Sequence, residues 1–517
     1  MKNFKYFDII ICFVVLLAGV YIHIISNLGF DLSKIPGDLG DSRFNNYILE
    51  HGYLYITGKV QYFWSAPFMY PEQNVIALSD NLIGSMPFYA IYRFLGINTE
   101  TSFQLWFITI TLLNYASATF VFYKLTKNLS IASLGAYIFA FSLVMFGQYT
   151  HLQVIPKFII PFAFYFTILF FRNYQLKYFL FALLSLVYQF YCGIYLGFLL
   201  SLGFGFYFLL NIIAKNKQFF VFFKQQKFTL MFLGCILLSG LLLYPLMMPY
   251  YKMSKLLGVR EFAFIFDTLP TIKSYFYIPK GSILWHFLEK TGESIPYNWE
   301  HYLFVGGIPI LSLLIFILFI KKFNSENKMM AFSLILILLF TIKIGNFTIY
   351  KLIYFIPGFG SLRAIGRVVH LELFFYAMIL VSVLLFFYNK VRFNKIFIIT
   401  ILLLIIADQF IDKTIAINYN KENAQNRTKE IVNLLENKNV KQYNAFAICV
   451  KNKEELYKYN IDAMIASQVV NKPTINGYSG TCMGKNCDFI VNLDTISLYD
   501  YLNFNWIKKN EVLVIQR

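Results

Sequence analysis

The sequence predicts an α-helical polytopic membrane protein with about eleven transmembrane helices, followed by a small α/β domain. Of the 517 residues, 58% are hydrophobic and only 14% are charged, and the mean hydropathy is +0.58. Soluble domains are much less apolar than this. The apolar residues also fall into repeated runs close to the 20 or so residues that a helix needs to cross a bilayer. These two observations indicate a protein that spans the membrane many times.

The predicted spans occupy residues 1–412, which form the expected membrane domain. They lie near residues 7–25, 103–123, 130–147, 156–171, 177–192, 194–213, 228–250, 302–320, 329–345, 364–387 and 395–411. The first run comes after Lys2 and Lys5, and no small-residue cleavage site follows it. We therefore interpret it as a retained first helix and not as a removed signal peptide.

The positive charge of the chain predicts its orientation. The formal net charge is +18, but the cations lie mostly in short connections between apolar runs, which indicates topology and not nucleic-acid binding. These connections contain Lys124 and Lys127; Arg172 and Lys177; Lys215, Lys217, Lys224 and Lys227; Lys321, Lys322 and Lys328; and Lys390, Arg392 and Lys395. These basic connections lie on the same side of the membrane as the N-terminus only if residues 81–96 do not cross it. We therefore interpret this segment, which contains Pro87 and Arg93, as an interfacial or re-entrant helix. The positive-inside rule makes that side the cytoplasm.

The opposite, extracytoplasmic side is expected to hold the longer polar regions. These are residues 26–102, 148–156, 251–301 and 346–363, and the C-terminal region 413–517. A charged helix candidate at 421–436 and strand candidates at 443–450 and 512–516 predict a small α/β domain in the C-terminal region, of a size that can hold its own core. Cys482 and Cys487 lie close together there, and they either form a small disulfide loop or remain two free thiols.

The first polar loop carries three acids of interest. Asp38 and Asp41 follow the first helix directly, where carboxylates beside a bilayer are costly unless they have a role. Gly37 and Gly40 allow the backbone to turn tightly and to approach a ligand closely. Alternatively, Asp41 is a helix N-cap and Asp38 is solvated. Asp80 is either the N-cap of the interfacial helix or a second acid that faces the same cavity as Asp41.

Two further polar clusters are expected on the same side of the membrane. His151 and Gln153 lie in a turn at the outer end of a span. Glu300 and His301 end the next long loop, where they are candidates for metal ligands or a base, or for a polar cap of the following helix.

Arg363, Arg367 and His370 give the clearest basic signal on that side. Their i, i+4, i+7 spacing places them on one stripe of a helix. A helix N-terminus with two guanidinium groups forms an anion site, so this cluster predicts phosphate binding. The alternative is an ion pair with an acid such as Glu372 or with a loop carboxylate.

Taken in order, five short motifs resemble those of the membrane-embedded C-type glycosyltransferases (the GT-C superfamily), and most closely a bacterial branch of large, poorly characterised members. They are residues 40–46 (Gly-Asp before a polar-aromatic helix), 70–74 (Tyr-Pro-x-x-Asn), 79–82 (Ser-acid-x-Leu), 357–367 (Pro-Gly…Leu-Arg-x-x-x-Arg) and 472–480. The resemblance implies a GT-C-like membrane domain with interfacial helices in the first outside loop and a soluble C-terminal domain. It also implies residence in a bacterial plasma membrane.

The reaction implied by the resemblance is transfer of a sugar from a polyprenyl-phosphate-linked donor to an extracytoplasmic acceptor, which is a cell-envelope glycan, a lipid or a protein. Asp41 would act as general base or as electrostatic partner of the acceptor, with Asp38 and Asp80 as alternatives. Arg363 and Arg367, with His370, would bind the donor phosphate. The implied substrate pocket contains Asn46, Asn74, His151, Gln153, Glu300 and His301.

The resemblance makes no cofactor certain. Some members use a divalent metal ion, but the first loop here lacks an Asp-x-Asp pair, so the candidate ligands are His151, Glu300 and His301. The implied partners are the lipid-linked donor and membrane lipids. Three other hypotheses stay open. One is a transporter or flippase of lipid-linked saccharides, which needs an anion site but no base, and another is an O-antigen ligase or polymerase type of enzyme, which usually centres on a large late loop. The third is a structural or assembly protein, which the arginine stripe does not favour.

Overall fold

A computed structural model describes residues 6–412, 416–451 and 453–517. Lys2 and Lys5 therefore lie outside the described residues, as does residue 413 of the predicted domain boundary. Every predicted apolar run forms a helix. The division of the chain into 1–412 and 413–517 stays a prediction.

The first half of the described chain is almost entirely helical. Its helices are α1 (Tyr6–Gly19), α2 (Ser26–Leu28), α3 (Asp41–Ile56), α4 (Met86–Phe94), α5 (Thr99–Thr126), α6 (Leu129–Phe141), α7 (Met145–Gln148), α8 (Ile160–Asn173), α9 (Leu176–Cys192), α10 (Ile194–Ala214), α11 (Asn216–Phe223) and α12 (Gln226–Leu257). A π-helical segment, Val20–Ile25, joins α1 to α2, and a short strand β1 (Lys34–Pro36) precedes α3.

The second half adds helices and five short strands. They are α13 (Phe262–Asp267), α14 (Gly307–Leu318), α15 (Ser325–Thr341), β2 (Lys343–Ile344), β3 (Phe347–Thr348), α16 (Tyr350–Tyr354), α17 (Val369–Tyr388), α18 (Asn394–Gln409), β4 (Asn418–Asn420), α19 (Lys421–Asn437), β5 (Ala445–Cys449), α20 (Leu456–Val470), α21 (Asn486–Asn492), α22 (Thr495–Phe504) and β6 (Val512–Gln516). Strands β2 and β3 form an antiparallel hairpin.

The long helices identify a membrane protein. Among the described residues, six helical segments are long and apolar enough to cross a bilayer: Tyr6–Leu28, Thr99–Thr126, Leu129–Gln148, Ile194–Ala214, Gln226–Leu257 and Ile365–Tyr388. Helices α8, α9 and α14 are apolar but shorter. The expected total of about eleven spans therefore stays a prediction. Helices α6 and α17 lie at the centre of the bundle, where nearly all of their residues are buried, whereas α12 is peripheral.

The segment 81–96 forms no crossing helix. Its helix α4 has nine residues, about 14 Å at 1.5 Å per residue, which is far less than the hydrocarbon thickness. Arg93 of α4 instead makes an ion pair with Glu50 of α3, with Nε 2.7 Å from Oε2, and this contact fixes α4 against α3. These features agree with the prediction of an interfacial or re-entrant segment.

Several of the predicted basic connections meet at one end of the bundle. Arg172 pairs with Glu326, with Nη2 2.6 Å from Oε2, and Lys215 donates to the carbonyl oxygen of Phe171 at 2.9 Å. Lys395 lies over the ring of Phe7 near the start of α1, 5.6 Å from its centroid. These connections therefore share a side, as predicted. That this side is the cytoplasm stays a prediction.

The C-terminal region has the predicted mixture of elements. The helix expected at 421–436 is α19, and the two expected strands are β5 and β6, which pair in parallel with Ala445 opposite Val512. Their buried residues, including Phe446 and Ile448, belong to a hydrophobic cluster separate from that of the membrane helices. Cys482 and Cys487 form a disulfide, which confirms the first of the two alternatives.

The C-terminal region (residues 416–517, called the C-terminal unit below) packs directly on the first loop. Strand β1 pairs antiparallel with β4, with Lys34 opposite Asn420. Arg43 of α3 makes a buried ion pair with Asp462 of α20, at 2.5 Å between Nη1 and Oδ1. The strand pairing and the ion pair hold the C-terminal unit against the loop that contains the candidate acids.

Candidate active site

The start of α3 assigns different roles to the two acids of the first loop. Asp38 accepts hydrogen bonds from the backbone N–H groups of Gly40 and Ser42, at 3.2 and 3.3 Å, so Asp38 satisfies donors at the helix start. The alternative with Asp41 as the N-cap and Asp38 solvated is wrong. Gly37 has φ +87°, and a Cβ there would lie 2.7 Å from both Ser42 Cβ and Tyr149 O, so this turn requires glycine.

Because Asp38 caps the helix, the Asp41 carboxylate is available for tertiary contacts. The Nδ1–H of His151 donates to Oδ2 of Asp41 at 2.9 Å, and the Tyr478 hydroxyl donates to Oδ1 at 2.5 Å. The Asp41 side chain nevertheless remains 25% exposed. The carboxylate is therefore held on two sides and open on another, as a group that meets a substrate has to be.

The two acids differ in their protonation. Burial raises the pKa of Asp41, but the hydrogen bond and charge of His151, together with the Tyr478 hydroxyl, outweigh it and lower that pKa to about 2. Burial, and then the charge of Asp41, raise the pKa of Asp38. Asp41 is therefore a carboxylate at any physiological pH.

Glu300 is the second centre of the site and is almost fully buried, with 3% of its side chain exposed. Its Oε1 lies 3.0 Å from Arg367 Nη2, 3.4 Å from His151 Nε2 and 3.7 Å from Arg363 Nη2. Burial raises the pKa of Glu300, but the charges of Arg367 and His151 outweigh it and lower that pKa to about 2. His151 thus lies between two carboxylates, Asp41 and Glu300.

The arginine motif is not one continuous α-helical stripe. Arg363 precedes a 3₁₀ turn, Ile365–Val368, which contains Arg367, and His370 follows in α17. Arg367 is 5% exposed and paired with Glu300, which is the loop-carboxylate alternative. His370 is fully buried, and neither of its ring nitrogens has a hydrogen-bond partner within the described chain. Arg363, whose side chain is 37% exposed, is the member of the motif that a ligand can reach.

Asp80 serves a different helix from the one expected. Its Oδ1 accepts a hydrogen bond from the backbone N–H of Tyr195 at 3.1 Å, in the first turn of α10, while the N-cap of α4 is Ser85. The alternative in which Asp80 caps the interfacial helix is therefore wrong, and the other alternative, a second acid that faces the same cavity as Asp41, stays a prediction. Asp80 is 5% exposed, and burial raises its pKa to about 6 against the opposing effect of the Tyr195 N–H.

The expected pocket residues divide into two groups. His151 and Glu300 lie beside Asp41, and Gln153 joins them through Asn45, whose amide donates to Gln153 Oε1 at 2.9 Å. The other members have different surroundings. Asn46 is buried with Oδ1 unpartnered among the described residues, Asn74 starts a turn with φ +57° and its N–H bonds to Ser65, and His301 Nδ1 lies 2.8 Å from Ser274 Oγ.

Tyr478 and Arg260 were missed as site residues by sequence reasoning. Arg260 donates to the carbonyl oxygens of Ser361 and Gly480, at 3.3 and 3.4 Å, and burial together with the charge of Arg363 lowers its pKa. The sequence offered a signal for Tyr478, because it lies in the motif 472–480 that contributes to the resemblance. No local pattern marks Arg260.

The candidate metal ligands do not assemble a metal site. Within residues 6–412, 416–451 and 453–517, no group of three or more His, Cys, Asp or Glu residues is placed to hold a metal ion. Glu300 directs both oxygens at Arg367, and His301 is bonded to Ser274.

Comparison with known proteins finds a likeness in fold. No family model matches the chain, and no curated protein matches its sequence. Among solved structures, the fold is similar to that of the crystal structure of the Archaeoglobus fulgidus oligosaccharyltransferase in its apo form, with a TM-score of 0.50 and 12% identity. The likeness covers 92% of this chain and 65% of the archaeal chain. The likeness concerns the fold alone.

Proposed function

We propose that this protein is an integral-membrane glycosyltransferase that moves a sugar from a polyprenyl-phosphate-linked donor to an acceptor on the extracytoplasmic side. The observation that carries the proposal is the Asp41 carboxylate, which is ionised, held by His151 and Tyr478, and still open to a ligand. His151, which contacts Asp41, also lies 3.4 Å from Glu300, and Glu300 lies 3.7 Å from Arg363, so residues from all four polar regions predicted within residues 26–363 meet near Asp41. The fold likeness to a protein named oligosaccharyltransferase supports the same class of reaction.

Asp41 would orient the acceptor and receive its proton late in the reaction. A carboxylate with a pKa of about 2 is a weak base toward a free hydroxyl, but it is a strong hydrogen-bond acceptor. As the acceptor oxygen bonds to C1 of the sugar, the bond from C1 to the phosphate oxygen breaks and its electron pair leaves with the phosphate. The acceptor proton becomes acidic in that step, so it passes to Asp41 and then to solvent.

The leaving phosphate would be stabilised by Arg363 and Arg260. These two cations act on each other electrostatically, and Glu300, which lies 3.7 Å from Arg363, is paired more closely with Arg367. Two neighbouring guanidinium groups favour a phosphate, which accepts bidentate hydrogen bonds from such forks. Arg367 would then hold Glu300, and through it His151, in place.

A comparison of cell-envelope glycans tests this proposal. The strains are a deletion strain, the same strain complemented with the wild-type chain, and strains carrying Asp41→Asn or Asp31→Asn. Asp31 lies on the surface of the same loop, where it bonds to the N–H of Ser33, so it provides the matched control. We expect one sugar to be absent from the deletion and Asp41→Asn strains and present in the other two. An unchanged glycan in the deletion strain, with a lipid-linked precursor that no longer crosses the membrane, would favour a transporter instead.

A further inference from the structure

The C-terminal unit reaches into the candidate active site through one side chain. The Tyr478 hydroxyl donates to Asp41 Oδ1 at 2.5 Å, although the two residues are 437 positions apart in sequence. The Tyr478 ring packs edge-on against Phe44, one turn into α3, with 5.7 Å between the centroids. The tyrosine is therefore fixed at both its ring and its hydroxyl.

The segment around Tyr478 is anchored to both parts of the structure. Asn476 accepts a hydrogen bond from the N–H of Met69 in the first loop, at 3.0 Å, and Gly480 accepts one from Arg260. A Cβ on Gly477 would collide with Met69, so close packing there requires glycine. The Cys482–Cys487 disulfide follows directly. Residues 476–480 are therefore held in place by contacts with both parts of the structure, and they line the candidate site.

A buried ion-pair cluster fixes the same unit to α3 two residues beyond Asp41. Arg43 Nη1 lies 2.5 Å from Asp462 Oδ1, and Arg427 Nη2 lies 2.6 Å from Asp462 Oδ2. The second guanidinium arm of Arg43 donates to Thr428 at 3.0 Å. Because Asp462 is fully buried, separating the unit from α3 would leave charges unpaired in a low-dielectric environment.

We infer that the C-terminal unit supplies part of the active site, with Tyr478 as the positioning residue that holds Asp41 for reaction. Sugar transfer then depends on docking of this unit against the first loop. The part of this inference that concerns sugar transfer rests on the proposed function. The contact between Tyr478 and Asp41 itself is independent of that function.

Tyr478→Phe is the first test, because it removes the hydroxyl and keeps the ring that packs on Phe44. A hydrogen bond to a carboxylate stabilises the ionised form, so its loss raises the pKa of Asp41. We expect kcat to fall about tenfold or more, KM for the donor to stay unchanged, and the acid limb of the pH profile to move to higher pH by about one unit. Tyr457→Phe is the matched control, since its ring lies 6.4 Å from that of Tyr478 in the same unit; it should retain wild-type values.

Two results would overturn the inference while leaving the proposed function intact. One is a Tyr478→Phe protein with wild-type kcat and pH profile. The other is a variant that is only less abundant, with unchanged specific activity and pH profile.

A stability cycle tests the contact even if no transfer is detected with wild-type protein. Tyr478→Phe, Asp41→Ala and the double variant are compared by thermal unfolding of the purified full chain. The contact is supported if Tyr478→Phe lowers Tm in the wild-type protein but not in the protein that already carries Asp41→Ala, that is, if the two losses are coupled. Additive losses would overturn it. Absence of transfer in wild-type protein together with a coupled cycle would count against the proposed function alone.

Discussion

Arg363 and Arg367 are four residues apart, but the structure predicts that their loss lowers the free energy of unfolding by very different amounts. Arg367 is 5% exposed and holds Glu300, which is 3% exposed, whereas Arg363 is 37% exposed and lies 3.7 Å from the same carboxylate. Arg367→Met therefore leaves the buried Glu300 carboxylate without its closest cation, which costs about 3–5 kcal/mol of unfolding free energy. Arg363→Met removes an exposed cation, which costs about 0–1 kcal/mol.

The two variants form their own matched pair, because the substitution is identical. Unfolding free energies can be measured by SDS titration in mixed micelles, followed by tryptophan fluorescence. We expect Arg367→Met to be strongly destabilised and Arg363→Met to be nearly as stable as wild type but to need more donor for half-maximal transfer. Adding Glu300→Gln should restore part of the stability of Arg367→Met, because neither buried charge is then left unpaired. Equal destabilisation by the two single variants, or an additive double variant, would refute the assignment of Arg367 to Glu300.

Two further predictions follow from the same structure. The pKa of Asp80 is raised to about 6, against about 3.9 in an unfolded chain. The contribution of the protonated carboxyl to stability is therefore complete below pH 4 and is lost as the pH rises through 6. Asp80→Asn should be more stable than wild type by about 1.5 kcal/mol at pH 5 and by about 3 kcal/mol at pH 7.5, as SDS titration at both pH values can show, and a destabilised variant at pH 7.5 would contradict this. Reporter fusions at residues 220 and 450 should give opposite signals, because the connection near Lys215 shares the side of the basic loops and the C-terminal unit lies with Asp41; equal signals would disprove the predicted topology.

Much of the fold could be predicted because its determinants are local. A run of apolar residues of sufficient length forms a helix regardless of its neighbours in space, and this is why every predicted run contains a helix. The charged pattern of α19 and the apolar strands β5 and β6 are local signals of the same kind.

The candidate site was only partly predictable because its chemistry depends on pairings distant in sequence. Arg367 was expected to meet phosphate, but Glu300, 67 residues earlier, takes up its charge. Asp80 caps α10, 115 residues later, instead of the helix that follows it. Asp38 and Asp41 are both at the start of α3, and only the backbone geometry decides that Asp38 caps the helix while Asp41 faces His151.

Sugar transfer by the purified protein is the most direct test of the role proposed for Asp41. Wild-type, Asp41→Asn and Asp31→Asn proteins would be incubated in detergent with radiolabelled polyprenyl-phosphate sugars and an extract of envelope acceptors. We expect label to move from the lipid to the acceptor at equal rates with wild type and Asp31→Asn. With Asp41→Asn it should move about 10²–10⁴-fold more slowly, because Asn keeps the shape of Asp but cannot take up the acceptor proton. Transfer by folded Asp41→Asn at the wild-type rate would contradict a catalytic role of Asp41.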